Sequence, residues 1–467
     1  MYTKLGIIHI LPPYIYRNVY NMIDVVWKIS IITRENSFID SASPNNYRSA
    51  RIVKKPHVYK RKIMATTEHL KENGPLADLR VIEMGVLLAG PFCGQLLGDY
   101  GAEVIKIEQP KVGDPMRNWG QEKAHGMSLW WPVIARNKKS ITLNARVKEG
   151  QDIIKDLVKD ADILIENFRP GTMERWGLGF DELAKINPRL IMVRVTGFGQ
   201  TGPYSPQAGY GSIGEAMGGL RYVVGESDRP PARIGVSMGD ALAATFATLG
   251  TLSAVHARET TGRGQVVDSA IYEAVLSLME SLIPEYQIGN YIRERSGSIL
   301  PNVAPSNSYP TKDGNYLIAA NQDTVFKRLA EAMGQAELGG NERYATHGAR
   351  GQHQQELDDL IGEWTKGFSS DELRKLLNEF GVPNGKIFTA PDMLENEHYA
   401  AREAIVSLNH PALGEIKMQN VFPKMSETQG KVKWCGPELG QHNNEIYRDM
   451  LKMDESKIAE YIEQGII

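Results

Sequence analysis

The residue types able to do chemistry gather in one hexapeptide, Gly235-Val236-Ser237-Met238-Gly239-Asp240. Its first five residues spell Gly-x-Ser-x-Gly, the pattern of a serine nucleophile held on a sharp strand-to-helix turn. Its sixth residue offers different chemistry. Asp240 opens a small, apolar, helix-like run from Ala241 to Gly250. At a helix start, backbone N–H groups and the helix dipole hold a carboxylate in its ionised form. Such a carboxylate is a usable nucleophile toward an activated acyl group. The plain alternative makes Asp240 a helix cap and nothing more. For Ser237, Ala232–Val236 reads as the required strand, and His347, His353, His398, His410 and His442 follow as candidate bases. No His-Gly-Gly-Gly-like oxyanion segment precedes it.

The elements that must position this hexapeptide alternate. Arg80–Met84, Val104–Glu108, Ser140–Leu143, Ile163–Glu166 and Leu190–Val195 read as strands. Ala89–Tyr100, Glu149–Val158 and Phe180–Ile186 read as helices between them. That alternation predicts a parallel sheet covered on both faces. Helical sequence follows from Ala241 to about Gln287, and near Pro301 the texture changes to a smaller α+β block. In that block Gly314–Ala320 and Gly385–Phe388 read as strands, and the stretches to Met333 and from Gln354 to Phe380 as helices. Strand pieces after Ala400 and a final helix, Asp454–Gln464, close the chain.

Composition narrows the function classes. The chain has 467 residues, 42% hydrophobic and 23% charged, with a formal net charge of −3. Nothing in that balance draws the protein to nucleic acid or to an acidic membrane. Two cysteines, Cys93 and Cys435, suit a reducing compartment. No uninterrupted apolar run reaches membrane-spanning length, so no spanning helix is expected. No His-x-x-x-His or Cys-x-x-Cys pair invites a metal. The first 63 residues stand apart, with 11 Lys/Arg against three acids, a net of +8 that leaves −11 on the rest. They read as a dispensable extension ahead of Met64, with a basic targeting segment as the alternative. The expected location is cytoplasmic, or the mitochondrial matrix if the leader targets. A second temptation is a dinucleotide site, because Glu108 ends the second strand where a ribose-binding acid would stand. The glycines there are Gly85, Gly90 and Gly94, and the Gly-x-Gly-x-x-Gly turn is missing.

Several segments, taken in order, resemble the family III CoA-transferases of the CaiB/BaiF type. They include Leu88-Ala89-Gly90-Pro91-Phe92, Gly98-Asp99-Tyr100-Gly101-Ala102-Glu103 and Arg136-Asn137-Lys138-Lys139-Ser140-Ile141. Glu166-Asn167-Phe168-Arg169-Pro170-Gly171, Asn187-Pro188-Arg189, Gly197-Phe198-Gly199-Gln200-Thr201-Gly202-Pro203 and Thr261-Gly262-Arg263-Gly264-Gln265 continue the series. Each segment is weak alone, and the ordered set is specific. The resemblance implies an acyl-CoA:carboxylate CoA-transferase with Asp240 as nucleophile, passing through an aspartyl anhydride and an aspartyl-CoA thioester. No cofactor is held permanently, and the CoA thioester is a substrate. By the same alignment, Leu87, Ala89, Gln109, Leu143, Arg146, Asn167, Phe168, Arg175 and Trp176 are expected to meet CoA, and Tyr210 the acid. Where formyl-CoA transferase carries a run of glycines, Arg295–Asn302 has only Gly297. That departure points away from a strict formyl/oxalate enzyme and toward succinyl-CoA or other dicarboxylates.

The resemblance also implies an architecture: a large Rossmann-like domain, a smaller α+β domain, and an interlocked, ring-like homodimer. The corresponding boundaries are a leader at 1–63, the first part of the large domain at 64–270 and a helical linker at 271–299. The small domain then spans 300–395, and 396–467 return to the large one. The expected partners are the acyl-CoA, the carboxylic acid and a second copy, with no nucleic acid or membrane. Two alternatives remain beside the serine hydrolase. An α-methylacyl-CoA racemase of the same fold would need a His-Asp pair where Tyr210-Gly211 stand, and a CoA-binding regulator would not need Asp240. Deleting residues 1–63 is expected to leave a soluble, active dimer, checked by CoA-transfer assay and native mass of the truncated chain.

Overall fold

The computed structural model describes residues 66–467. The leader, and every expectation placed on it, lies outside those residues. Six short apolar strands form the central sheet: β1 Arg80–Glu83, β2 Glu103–Glu108, β3 Lys138–Thr142, β4 Ile163–Glu166, β5 Ile191–Thr196 and β6 Val266–Ala270. Their spatial order is β3-β2-β1-β4-β5-β6, with every neighbouring pair parallel. This is the doubly wound order, which reverses between β1 and β4 and opens a crevice outside the strands' carboxyl ends.

Side chains along a strand alternate between faces, so β1, β2, β4 and β5 each feed two cores. Ile82, Ile105, Ile141, Leu164 and Met192 form one face. On the other lie Val81, Val104, Ile163, Ile165 and Val193. Four helices matter to the site: α1 Ala89–Asp99, α2 Lys148–Val158, α3 Gly211–Met217 and α4 Met238–Thr261. Helix α2 covers the first face together with Tyr447, Ile458 and Ile467 from the end of the chain. Helices α1 and α4 cover the second, meeting through Ala89, Cys93, Leu97, Ala243, Ala244 and Ala247. Those small side chains let two helices lie close over one sheet. Helix α4 is long and apolar enough to span a membrane by length and composition, against the expectation that no such segment exists. Its alanine face is built into this core.

A second, antiparallel sheet has the order β9-β8-β7, built from β7 Ser306–Thr311, β8 Gly314–Ala319 and β9 Asn384–Lys386. It shares a core, including Tyr309, Tyr316, Phe326, Leu329, Leu357 and Leu373, with the helices beside it. Two expectations are corrected. The helical reading from Ala241 to Gln287 hid β6, a half-exposed edge strand whose Asp268 and Ser269 dilute its apolar signal. The reading of one helix from Gln354 to Phe380 gives way to two, Gln354–Thr365 and Ser370–Glu379. Ser369 starts the second with a reciprocal capping box to Glu372, which satisfies backbone donors that a continuous helix would not expose.

Beneath the crevice lies a buried charge cluster. Lys138 Nζ sits 2.8 Å from Glu83 Oε2, and Lys106 Nζ sits 3.0 Å from Glu83 Oε1 and 2.8 Å from Asp114 Oδ2. All four side chains are essentially inaccessible. Burial alone would push both lysines toward neutrality. Asp114, Glu83 and Glu108 outweigh it at Lys106 and hold it above the ordinary lysine range, whereas burial prevails at Lys138. Removing one partner of such a cluster strands a charge in a dry interior. Glu83→Gln, which leaves Lys138 without an adjacent anion, should therefore cost about 3 to 5 kcal/mol. Urea unfolding measures it, and a loss below about 1 kcal/mol would mean that the cluster is not holding the sheet together.

Candidate active site

The loop Met84–Leu88 leaves β1 at the crevice and is bonded from three sides. Lys106 Nζ donates to the Gly85 carbonyl at 2.8 Å. The Leu87 N–H donates to Asp114 Oδ1 at 3.1 Å. Asn167, just past β4, accepts from the Val86 N–H and donates to the Val86 carbonyl, each at 2.8 Å. Leu87 is held at φ 64°, a left-handed conformation that a leucine adopts only under constraint.

The opposite wall depends on a backbone contact. A Cβ on Gly197 would lie 2.8 Å from the Gly209 Cα, and one on Gly209 2.9 Å from the Gly197 Cα. Two glycines let these loops touch, and Tyr210 follows at once as the cap residue of α3. Tyr210 is 65% exposed, so it is not a core residue. Ser237 occupies the cap position of α4 without a side-chain cap bond, which puts Asp240 inside the first turn and not at the cap. Residues 232–236 are irregular, so the strand demanded by a serine elbow is missing.

Asp240 meets an electrostatic setting opposite to the expected one. Its carboxyl is pushed up to about 6, chiefly by burial and next by the charge of Glu215, with Arg233 pulling the other way. The helix start does not hold it at an ordinary carboxylate value. Glu215 is fully buried, accepts from the Gly239 N–H at 3.2 Å and pairs with Arg221 at 3.1 Å. The Met238 N–H goes to the Val236 carbonyl. Among the described residues the Asp240 N–H keeps no internal partner, the usual state of a donor in a first helical turn. The Gly211 backbone closes on the Asp240 carboxylate so tightly that a Cβ there would overlap it. The racemase reading needs an acid side chain at that position, where its Cβ would have to displace the Asp240 carboxylate.

Two cavities flank the start of α4. One, of about 200 Å³, lies at the strand-order reversal and is lined by Leu87, Ala89, Trp119, Asn167, Phe168, Arg169, Tyr210 and Asp240. The other, of about 700 Å³, is walled by Leu88, Phe92, Trp130, Val133, Met238 and Ser237, with Arg233 at its edge. Among the described residues no histidine lines either of them, so neither cavity offers Ser237 a histidine base.

The sequence profile of CoA-transferase family III matches residues 76–443. The chain belongs to this family. It is 61% identical to the Succinyl-CoA--D-citramalate CoA-transferase of Chloroflexus aurantiacus over 386 residues, 82% of this chain and 96% of that one. It is 39% identical to the Succinyl-CoA--L-malate CoA-transferase beta subunit of the same organism over 397 residues, 84% and 98% of the two chains. A crystal structure of a CAIB/BAIF family protein from Brucella suis superposes with a TM-score of 0.72 at 34% identity, covering 81% of this chain and 99% of that one. The protein is thus an enzyme of acyl-CoA metabolism, transferring CoA between an acyl-CoA and a carboxylate.

In this transferase the expected site residues divide. Leu87, Ala89, Asn167 and Phe168 line the smaller cavity with Asp240 and Tyr210. Asn167 spends its amide on Val86 and so shapes the loop. Leu143 is enclosed in the core, and Trp176 packs edge-on against Phe168 at 5.2 Å. Gln109, Arg146 and Arg175 are exposed and border neither cavity. Gly297, at φ 64°, donates its N–H to the Gly225 carbonyl and borders neither cavity. Sequence reasoning missed Trp119, Arg169, Glu215 and Arg233. Arg169 was the most findable, since it sits inside the Glu166–Gly171 segment and is the one cation lining the smaller cavity. Glu108 is consumed by Arg117, Ser140 and the Asp114 N–H, which leaves no free acid for a ribose.

A carboxyl whose folded value lies above its unfolded one makes the protein less stable as pH rises through the interval between them. For Asp240 that interval runs from about 4 to about 6. Asp240→Asn mimics the protonated form. It should raise stability by about 2 to 3 kcal/mol at pH 7.5, with the gain vanishing near pH 4. Thermal melts of both proteins across that range test the sign.

Proposed function

We propose that this enzyme moves CoA from succinyl-CoA to a small dicarboxylic acid through covalent intermediates on Asp240. The observation that carries the reading is that, among the described residues, Asp240 is the one carboxylate lining the smaller cavity, beside loops shaped for a ligand and beside an unclaimed N–H. The donor and the acid class follow from the relatives named above, both of which take succinyl-CoA and a hydroxylated dicarboxylate.

The steps balance without outside reagents. Ionised Asp240 attacks the thioester carbonyl and expels CoA thiolate, leaving a mixed anhydride. The thiolate attacks the aspartyl carbonyl of that anhydride, forming an aspartyl-CoA thioester and releasing succinate. The acceptor carboxylate attacks this thioester, again expelling the thiolate. The thiolate then attacks the acceptor's carbonyl, releasing the new acyl-CoA and free Asp240. With its carboxyl at about 6, Asp240 is mostly ionised at neutral pH yet more basic than a surface aspartate, which favours attack. The Asp240 N–H is available to the oxyanion of each tetrahedral intermediate. Anhydrides hydrolyse in water, so a narrow, half-buried site suits the chemistry.

A homodimer fits the same reading. Leu249 on α4 is 59% exposed, and Ile288, on the helix Leu282–Gly289, is 81% exposed. Phe246, Leu252, Ile283 and Tyr286 extend the apolar surface, which a second copy would cover.

The test is the adduct itself. Succinyl-CoA without acceptor should leave CoA in thioester linkage on the peptide containing Asp240. Hydroxylamine should convert it to a hydroxamate, and borohydride should inactivate the enzyme. Asp240→Ala should lower transfer by at least about a thousandfold, while Ser237→Ala stays active. Loss of activity on the serine change, with no adduct on the aspartate, would overturn the assignment.

A further inference from the structure

The larger cavity shares the first turn of α4 with the nucleophile's cavity. Its walls are largely apolar, with two amides, Gln95 and Gln419. Among the described residues Arg233 is the one charged side chain lining it. Among the described residues no carboxylate lies within ion-pairing distance of Arg233, and no hydrogen bond holds its guanidinium. The neighbouring arginines are committed: Arg221 to Glu215, Arg136 to Asp99, and Arg295 to the carbonyls of Tyr222 and Glu226. Arg233 is exposed where it lines this largely apolar cavity, so its guanidinium is free to receive an anion entering from solvent, and its planar donor set fits a carboxylate in two-point contact.

We propose that Arg233 binds the carboxylate of the acid substrate that does not react, and so selects dicarboxylic over monocarboxylic acids. The idea rests on the dicarboxylate reading above. The Arg233 charge also acts on Asp240, which places the two groups within electrostatic reach of each other. Arg233 stands seven residues before Asp240, on the segment that leads into α4. A diacid lying along this segment would present one carboxylate to Asp240 and the other to Arg233. The cation in the other cavity, Arg169, flanks the Asn167 and Phe168 loop and is separate from this site. The groups that could compete for Arg233 are Asp240, which reacts, and Glu215, which is already bonded to Arg221 and the Gly239 N–H.

The experiment uses the full-length enzyme with succinyl-CoA as donor and two acceptors of equal chain length, glutarate and pentanoate. The measured quantity is the ratio of kcat/KM for the two acids. Both reactions share the donor half, so damage to the donor step or to Asp240 cancels in that ratio. In Arg233→Gln the ratio should fall about 10- to 100-fold, the range expected for losing hydrogen bonds to a charged group. Arg233→Lys, which keeps the charge but not the fork, should fall between. Thermal melts and native mass confirm that the variants are folded and assembled. An unchanged ratio despite a slower rate would overturn the proposal, because Arg233 would then act only through Asp240. A shift from dimer to monomer would overturn it too, since Arg233 would then pair with the second copy. If the wild-type enzyme transfers CoA normally but shows no preference for glutarate, it is the dicarboxylate reading that falls.

Discussion

The site hangs from a buried exchange of charge between two lysines and two carboxylates. Desolvating four ionised groups is expensive, and the interior returns that cost only if every group is matched. Here they are matched to one another and to backbone as well. Lys138 also donates to the Pro91 carbonyl at 2.6 Å, and Lys106 to the Gly85 carbonyl. Asp114 takes the N–H groups of Leu87 and Met116. The cluster therefore fixes both ends of the loop between β1 and α1, including the unfavourable φ of Leu87. Gly94 completes the arrangement, since a side chain there would enter the space of the Glu83 carboxylate. An apolar cluster of equal volume could fill the same space, but it could not grip carbonyls and N–H groups in one geometry.

Asp240 is treated in the opposite way. Its carboxylate receives no hydrogen bond from the described residues, and the charge nearest it in effect is that of another acid, Glu215. The fold spends stability to keep a half-buried anion poorly solvated. On the proposed chemistry, that condition turns a weak nucleophile into a useful one, and it gives a reason for Glu215 to be tied down so fully. Pinned by Arg221 and the Gly239 N–H, it exerts its field without being able to approach Asp240. The helix dipole moderates this field and does not cancel it.

Much of the framework was legible from periodicity. The strands Arg80–Glu83, Ile163–Glu166 and Ile191–Thr196 are buried on both faces, so their apolar residues stand side by side without alternation, even with Arg80, Glu83, Glu166 and Arg194 among them. β6 was illegible because it lies at the sheet edge, half exposed, directly after a long helix. At the site, the hexapeptide was singled out because its chemistry is local, and Tyr210 was singled out through the family resemblance. Glu215 and Arg233 were not, since a buried acid and an unmatched arginine acquire meaning only from what surrounds them. Arg146 and Arg175 entered through the family alignment, and the fold sets both on exposed surface that borders neither cavity. The helix N-terminus argument failed at Asp240 for a related reason. It counted the nearby backbone and could not count burial.

On the proposed chemistry, one helix start serves two traffics. The CoA thiolate must stay close through both exchanges, while one acid leaves and another takes its place. A single pocket would let the departing acid and the thiolate compete for the same exit. Here the first turn of α4 stands between two compartments. The smaller is bounded by the pinned loop, Phe168 and Arg169, and the larger by apolar walls with one unmatched cation. On that chemistry, separation of this kind would let the acid exchange through the wider space while the CoA thiolate stays beside Asp240. It also divides evolutionary freedom. The pinned loop, the glycine contact at 197 and 209, and Gly211 are constrained by backbone geometry, whereas the walls of the larger cavity can change to suit a different acid without disturbing the nucleophile.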